Sequence, residues 1–367
     1  MRVYLDHAAT SPLRPEAREA MLPWLDSGNA STLYAEGRTA KLAIDVAREK
    51  VSGAIGAEFA ETIFTSGGTE SATLALAGTA LAHKSGPRKR ILISATEHHC
   101  VLHSRELLEA LGYVVETIPV DRYARPILDR IDDRVLLVAT MHANNELGSI
   151  TDVKAIADRT HETGALVFCD AVQSFGKIPV DVTELGIDLL SVSAHKIGGP
   201  KGVGALYVRA GTKIKPIMAG GGQERELRAG TENAAAIVGF GAAIKPPYAD
   251  PDKRNYLRKE LIAIGALPTV PENMKTLPTH LHVRFPGISA ETLLIILDRL
   301  GVSAGSGAAC SSGSIEPSHV LLACGYSMEE AKEGLRFSLG PETTLDEVAF
   351  AAGQISKAVE QIRSKHV

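Results

Sequence analysis

The chain has 367 residues, 45% of them apolar and 22% charged, with a formal net charge of -4. That length supports two domains with sizeable cores, and the charge balance leaves no basic excess of the kind that binds nucleic acid. The four cysteines, Cys100, Cys169, Cys310 and Cys324, form no CxxC pair and no zinc-ligand spacing. So few thiols on so long a chain suit a reducing compartment. The opening MRVYLDHAAT lacks the apolar stretch of a signal peptide, and no apolar run approaches the roughly 20 residues of a membrane helix. These features predict a soluble cytoplasmic protein whose partner is a small molecule or another protein.

Taken in order, the chain starts with a short apolar run, Val3–Leu5, and a helix opened by Pro15. A polar, turn-rich stretch, SGNASTLYAEGRTA, leads to an amphipathic helix over about 40–55. Thr62–Thr65 reads as a strand, SGGTES as a turn, and 72–82 as a helix. Strand, Gly-rich turn and helix in that order aim free backbone N–H groups and a helix dipole at an anion. From 90 to 208 strands and helices alternate: strands at 90–94, 114–119, 135–140, 165–170, 189–193 and 204–208, helices at 101–111 and 152–163. That alternation predicts an α/β sheet, mostly parallel, with ligands at the carboxyl ends of its strands. Beyond those ends stand Thr69, Glu97–His99, His142–Glu146, Asp170–Gln173 and Ser193–Lys196. The run 245–252, KPPYADPD, marks a hinge. An α+β tail follows: helices at 253–264, 290–300, 317–323 and 345–365, strands at 279–285, 302–304 and 334–339, and a small-residue loop, GSGAACSSGS, at 305–314.

Lys196 closes the apolar strand of SVSAHKIGGPKGVG. Burial there disfavours its charge, lowers its pKa and makes the amine a nucleophile, which is what a Schiff-base lysine requires. Pyridoxal phosphate needs such a lysine, a carboxylate for its ring nitrogen and a phosphate cup. Asp170, Ser193 and the turn from Ser66 through Gly68 to Thr69 supply those parts, with His98 or His99 placed to stack on the ring. A zinc reading of His98, His99 and His103 lacks a further ligand at recognisable spacing. Cys310, flanked by small residues, is the nucleophile candidate. Cys169 and Cys324 read as core, and Cys100 as undecided. Arg336, between Leu335 and Phe337, is either a carboxylate clamp or part of a solvated strand face.

The motifs YLDHAATSP, FTSGGTES, TEHH, MHANNELG, DAVQSFGKIPVD, SAHKIGGPKGVG, RAGTEN, SGAACSSGSIEPSHVL and LRFSLG run from Tyr4 to about Thr344. Together they resemble the cysteine desulfurases of the class V aminotransferase group, most closely those serving iron–sulfur cluster assembly and tRNA thiolation. The resemblance implies a homodimeric fold type I enzyme that binds pyridoxal 5'-phosphate and L-cysteine. It further implies a seven-stranded large domain over 15–248 and a smaller domain from 1–14 and 249–367, whose loop at about 305–317 carries Cys310. Lys196 matches the Schiff-base lysine, Asp170 the pyridinium partner and His98 the ring-stacking acid/base group. Gln173 matches the residue at the phenolic oxygen, and Asn145 lies at the same edge and the substrate. Thr69, Ser193 and His195 match the phosphate cup, completed by Thr231 of the second subunit. Asn29 and Arg336 match the substrate-carboxylate site, and Cys310 the thiol that takes sulfur as a persulfide and delivers it to an acceptor protein. No resident metal is implied. His7 and Tyr34 depart from the family's usual Asn and His, 245–280 is short, and the chain ends soon after its last helix. Selenocysteine lyase, or another lyase or aminotransferase of the group, is the alternative enzyme; a sulfur-carrier-binding scaffold is the alternative without catalysis.

Overall fold

The computed structural model describes residues 1–247, 251–307, 310–311 and 314–364. In chain order, β1 (Val3–Tyr4) precedes α1 (Pro15–Met21), α2 (Ala35–Gly53), β2 (Thr62–Thr65) and α3 (Gly68–Ala82). Next come β3 (Arg90–Ser94), α4 (His99–Leu102), α5 (Ser104–Ala110), β4 (Val114–Ile118), β5 (Val135–Met141), α6 (Val153–His161), β6 (Leu166–Asp170), β7 (Leu189–Ser193), β8 (Gly204–Val208) and α7 (Ala234–Ala243). The remainder is α8 (Asp252–Ala263), β9 (Leu267–Pro268), β10 (His280–Arg284), α9 (Ala290–Arg299), β11 (Val302–Ser303), β12 (Cys310–Ser311), β13 (Ser314–Ile315), α10 (His319–Ala323), α11 (Met328–Ala331), β14 (Gly334–Ser338) and α12 (Leu345–Arg363).

Strands β2 to β8 form one seven-stranded sheet in the order β2-β8-β7-β6-β5-β3-β4. It is parallel except at β8, which runs antiparallel to both β2 and β7. Both faces are covered, so the central strands carry no polar alternation: every residue of β5 is buried. Helix α3 is likewise buried nearly all round. One core joins α2 and α7 to the sheet through Ile44, Val51, Phe64, Phe175, Val192 and Phe240. A second core packs α8, α9 and α12 on the β14-β10-β9 sheet through Leu257, Leu293, Phe285, Phe337 and Ile355. β1 pairs with β11 at that second core, so the chain's first residues join its last third.

Three local expectations need correction. The helix expected from residue 72 begins at Gly68, inside the turn, because the glycine pair lets backbone pass close to the sheet. A Cβ on Gly204 would stand 2.7 Å from the Gly67 Cα and 2.6 Å from the Val192 carbonyl oxygen. The single helix expected at 101–111 breaks at His103 into α4 and α5. The glycine- and serine-rich loop contains a short antiparallel pair, β12 with β13.

Candidate active site

Helices α6, α7 and α12 start on side-chain caps, from Asp152, Asn233 and Thr344. Helix α3 does not. Gly67 precedes it with φ 152° and no side chain, and Glu70 reaches back only as far as the N–H of Ser66, at 2.8 Å. The amides at the start of a fifteen-residue helix are therefore left for a ligand, and the dipole favours an anion.

That helix start opens on a cavity of about 200 Å³. Gly68, Thr69, His98, Asn145, Asp170, Gln173, Ser193, His195 and Lys196 all line it. These residues come from the ends of five different sheet strands and the loops after them, which is where an open α/β sheet places its ligands. Cys100, Met141, Ala143 and Val172 complete the wall.

The Lys196 Nζ donates to the carbonyl oxygens of Ala8 at 2.7 Å and Ala9 at 2.9 Å. Burial, helped by Arg336 and opposed by Asp170 and Asp6, lowers its pKa to about 8. Asp170 is buried; desolvation raises its pKa, while the Val172 N–H, 2.9 Å from Oδ1, and the nearby His98 and Lys196 oppose the rise. The ring of His98 lines the cavity although the residue as a whole is exposed. Its Nδ1 accepts from the Cys100 N–H at 3.2 Å, which leaves the proton on Nε2. Burial holds the His98 pKa below the ordinary value. Desolvation, with Lys196 next, lowers His195 to about 4, so it enters as a neutral imidazole, 3.1 Å from the Thr10 hydroxyl.

The remaining expected residues divide. Arg336 is buried, which settles it against a solvated strand face. Its Nη1 donates to the Asn145 carbonyl at 2.8 Å and its Nη2 to Asp6 at 2.7 Å, while its Nε is buried without a partner. Asn29 is exposed and away from the cavity wall, its Oδ1 accepting from the Ser31 N–H at 2.9 Å. Thr231 is also exposed and outside the cavity. The Cys310 side chain lies outside the described residues. His99 does not line the cavity and packs between the tilted rings of His103 and His319, at centroid distances of 4.8 and 4.6 Å. Cys169 and Cys324 are core residues, at 0% and 5% exposure. Cys100 lines the cavity, but desolvation first, then the Asp170 and Glu97 carboxylates, push its thiol up to about 12, so it is no nucleophile.

Three buried ionisable groups around the site were not legible as such. Glu97 is 0% exposed and holds the N–H of Met141 at 2.8 Å; burial, with Asp170 nearby, pushes its pKa well up. Glu146 follows Asn145, and Lys177 follows the loop of Gln173. For Lys177 the signal was present: a lysine inside FGKIPV has apolar residues on both sides.

The wall fits pyridoxal phosphate. Uncapped amides with Thr69, Ser193 and His195 suit a phosphate, Asp170 suits a ring nitrogen, and Lys196 suits an aldehyde. Asn145 contributes an Oδ1 that is buried and has no partner of its own. A Cβ on Gly68 would meet Val172 at 2.8 Å, so the helix start and the wall opposite are set as close as a bare backbone allows.

This fold and this wall define a pyridoxal-phosphate enzyme. The class-V aminotransferase family matches residues 3–350, and the chain belongs to that family. Within it the chain stands with the cysteine desulfurases. It is 43% identical to the cysteine desulfurase IscS of Dictyoglomus turgidum, over 99% of this chain and 95% of the relative. A solved NifS-like protein superposes with a TM-score of 0.90 at 33% identity, over 98% of this chain and 100% of that one. A protein solved as SspA in complex with cysteine gives 0.82 at 32% identity, over 93% and 100%.

Proposed function

We propose that this protein removes sulfur from L-cysteine, releasing L-alanine and leaving the sulfur on Cys310 as a persulfide for an acceptor protein. It is a pyridoxal-phosphate-dependent cysteine desulfurase, and the observation that carries the assignment of roles is the single cavity joining Lys196, Asp170 and His98. Bound pyridoxal phosphate supplies an electron sink for negative charge at the substrate Cα.

In this reading Lys196, with its pKa brought down to about 8, is a free amine often enough to hold the cofactor and afterwards to move a proton at Cα. His98 presents its Nε2–H to the reacting side because the Cys100 amide occupies Nδ1. Asp170, buried with a raised pKa, shares a proton with the ring nitrogen. Thr69, Ser193, His195 and the start of α3 hold the phosphate. The Arg336 guanidinium, whose Nε is unpaired, takes the substrate carboxylate by exchanging its Asp6 contact. The Cys310 thiolate attacks the substrate sulfur; the Cβ–S bond breaks, and its electron pair ends, with a proton, on the carbon that becomes the alanine methyl group.

The distinct cores through Phe240 and through Phe337 support a division into a large unit over 15–248 and a smaller one from 1–14 and 249–367, which meet at a third cluster of Leu147 with Val320 and Leu321. A homodimer is supported by the exposed side chains of Leu22, Leu25, Leu33, Tyr34 and Leu42 in the N-terminal segment. Thr231 and Asn29, both away from their own cavity, would then serve at the partner's. A cytoplasmic setting is proposed on the cysteine usage; among the described residues no helix is long and apolar enough to cross a membrane. The acceptor is proposed as an iron–sulfur scaffold or a tRNA-thiolation enzyme. Replacing Cys310→Ala tests the central step: sulfide release from cysteine is expected to fall to background, with no persulfide on the protein. Full release in that variant would refute it.

A further inference from the structure

We infer that Lys177 is a positioning residue for the cofactor, fixing the side-chain amide of Gln173 so that it offers the cavity an N–H donor and not its carbonyl oxygen. The inference rests on the cavity being the cofactor site.

Lys177 is 6% exposed. Gly176, with φ 71°, turns the chain just before it, and the lysine side chain runs back beneath the wall of the cavity. Its Nζ donates to Gln173 Oε1 at 2.8 Å. Among the described residues Lys177 makes no ion pair. The charges it feels are of its own sign, Lys196 beyond β7 and Arg336 on β14. His7, Arg14 and Glu347 share a second cavity with it behind Lys196, and His280 approaches from β10. Burial without an anion disfavours its charge, and desolvation, then Lys196, bring its pKa well below the ordinary value. The amine donates whether or not it is charged.

The amide of Gln173 is held at both ends. Its Oε1 faces Lys177, and its Nε2 donates to the Ala8 carbonyl at 2.9 Å. The same Ala8 oxygen accepts from Lys196 Nζ at 2.7 Å. Lys177, Gln173, the Ala8 carbonyl and Lys196 thus form one continuous set of hydrogen bonds behind the cofactor wall. One N–H of the Gln173 amide goes to Ala8, and the second remains for the cavity that Gln173 lines. A flipped amide could still use the lone pair of a neutral Lys177. It would nevertheless set Oε1 against the Ala8 carbonyl, where two acceptors meet.

An N–H donor at the cofactor's phenolic oxygen draws charge from it and weakens its hold on the proton at the Lys196 linkage. Without Lys177 only the Ala8 carbonyl orients the amide, the donor is lost part of the time, and that proton is held more tightly. The readout is the pH titration of visible absorption in the cofactor-loaded protein, for the parent, Lys177→Met, Gln173→Ala and the double variant. Lys177→Met is expected to raise the midpoint by about one pH unit, tenfold in proton affinity. Gln173→Ala should shift it comparably, and the double variant no further than the larger single shift. Lys177→Gln, which keeps a donor at 177, should return the midpoint toward the parent. Additive shifts, an unmoved midpoint in Lys177→Met, or a Lys177→Gln shift equal to that of Lys177→Met would overturn the inference alone. A loaded parent whose visible absorption survives Lys196→Ala unchanged would overturn the cofactor reading and the inference with it.

Discussion

Replacing Glu146 by Gln should remove a pH dependence of stability that the parent protein carries. Glu146 is 0% exposed. One carboxyl oxygen, Oε2, accepts from the Ser318 hydroxyl, whose oxygen in turn caps α10 at the Leu321 N–H, 3.0 Å away. The other, Oε1, is buried with no partner. A Cβ on Gly307 would stand 2.6 Å from the Glu146 Cγ, so this carboxyl sits between both stems of the segment carrying Cys310. Desolvation raises its pKa from 4.5 to about 7, against the pull of Ser318 and Arg336. A carboxyl whose folded pKa exceeds its unfolded value binds more protons folded than unfolded. Stability therefore falls as the pH rises from about 4.5 to about 7, and levels above that. A difference of about 2.5 units at about 1.36 kcal/mol per unit makes the loss about 3 kcal/mol. Glu146→Gln keeps the shape and the acceptor for Ser318 but cannot ionise. Its amide meets the same lack of a partner that Oε1 has, a cost that does not change with pH. Denaturant unfolding of both proteins at pH 5, 6, 7 and 8 should show the variant gaining about three-quarters of that loss on the parent across the range, the remainder falling below pH 5. Taking the difference cancels the titration of groups the two share. A difference independent of pH would refute the reasoning.

Two further outcomes follow from the site. The pKa of Lys196 lies near 8 and not 10.5, so its neutral fraction saturates above about pH 8. Capture of pyridoxal phosphate by cofactor-free protein should then quicken about tenfold per pH unit below 8 and level off above it; a rise continuing toward pH 10 would contradict the lowered pKa. Gly204→Ala forces a Cβ to within 2.6 Å of the Val192 carbonyl and 2.7 Å of the Gly67 Cα, both backbone atoms that cannot step aside. A loss of about 3 kcal/mol is expected, together with weaker cofactor binding because the turn before Thr69 must move; unchanged melting and affinity would show that the two strands are not so closely set.

Much of the fold was legible locally. Thr62–Thr65, Arg90–Ser94, Leu189–Ser193 and Gly204–Val208 read as strands with the bounds they have, because short apolar runs between turn residues leave few alternatives. The break at His103 was not legible, since 101–111 keeps helical periodicity across it. Nor was the hairpin of β12 and β13, two residues a side among glycines and serines. In the site, Lys196, Asp170, His98, Gln173, Ser193 and His195 were singled out from their places just past strand ends, and one cavity receives them all. Asn29 was singled out too, yet it stands exposed outside that cavity, as does Thr231, which was expected to act from the second subunit.

The sequence by itself determined which residue types stand at the carboxyl ends of the strands, and so the class of chemistry. A lysine, an aspartate and a glycine turn before a helix have their roles written in order and spacing. Ionisation was another matter, because it depends on what lies on every side of a group and not on its neighbours in the chain. Only the tertiary structure decided that Arg336 is buried and partly unpaired and that Cys100, beside His98, keeps its proton. Only it placed Glu146 and Lys177 in the interior, neither in an ion pair among the described residues. The physical reason is desolvation: a pattern of residues shows where a charge falls along the chain, while the packing of distant segments sets what it costs there.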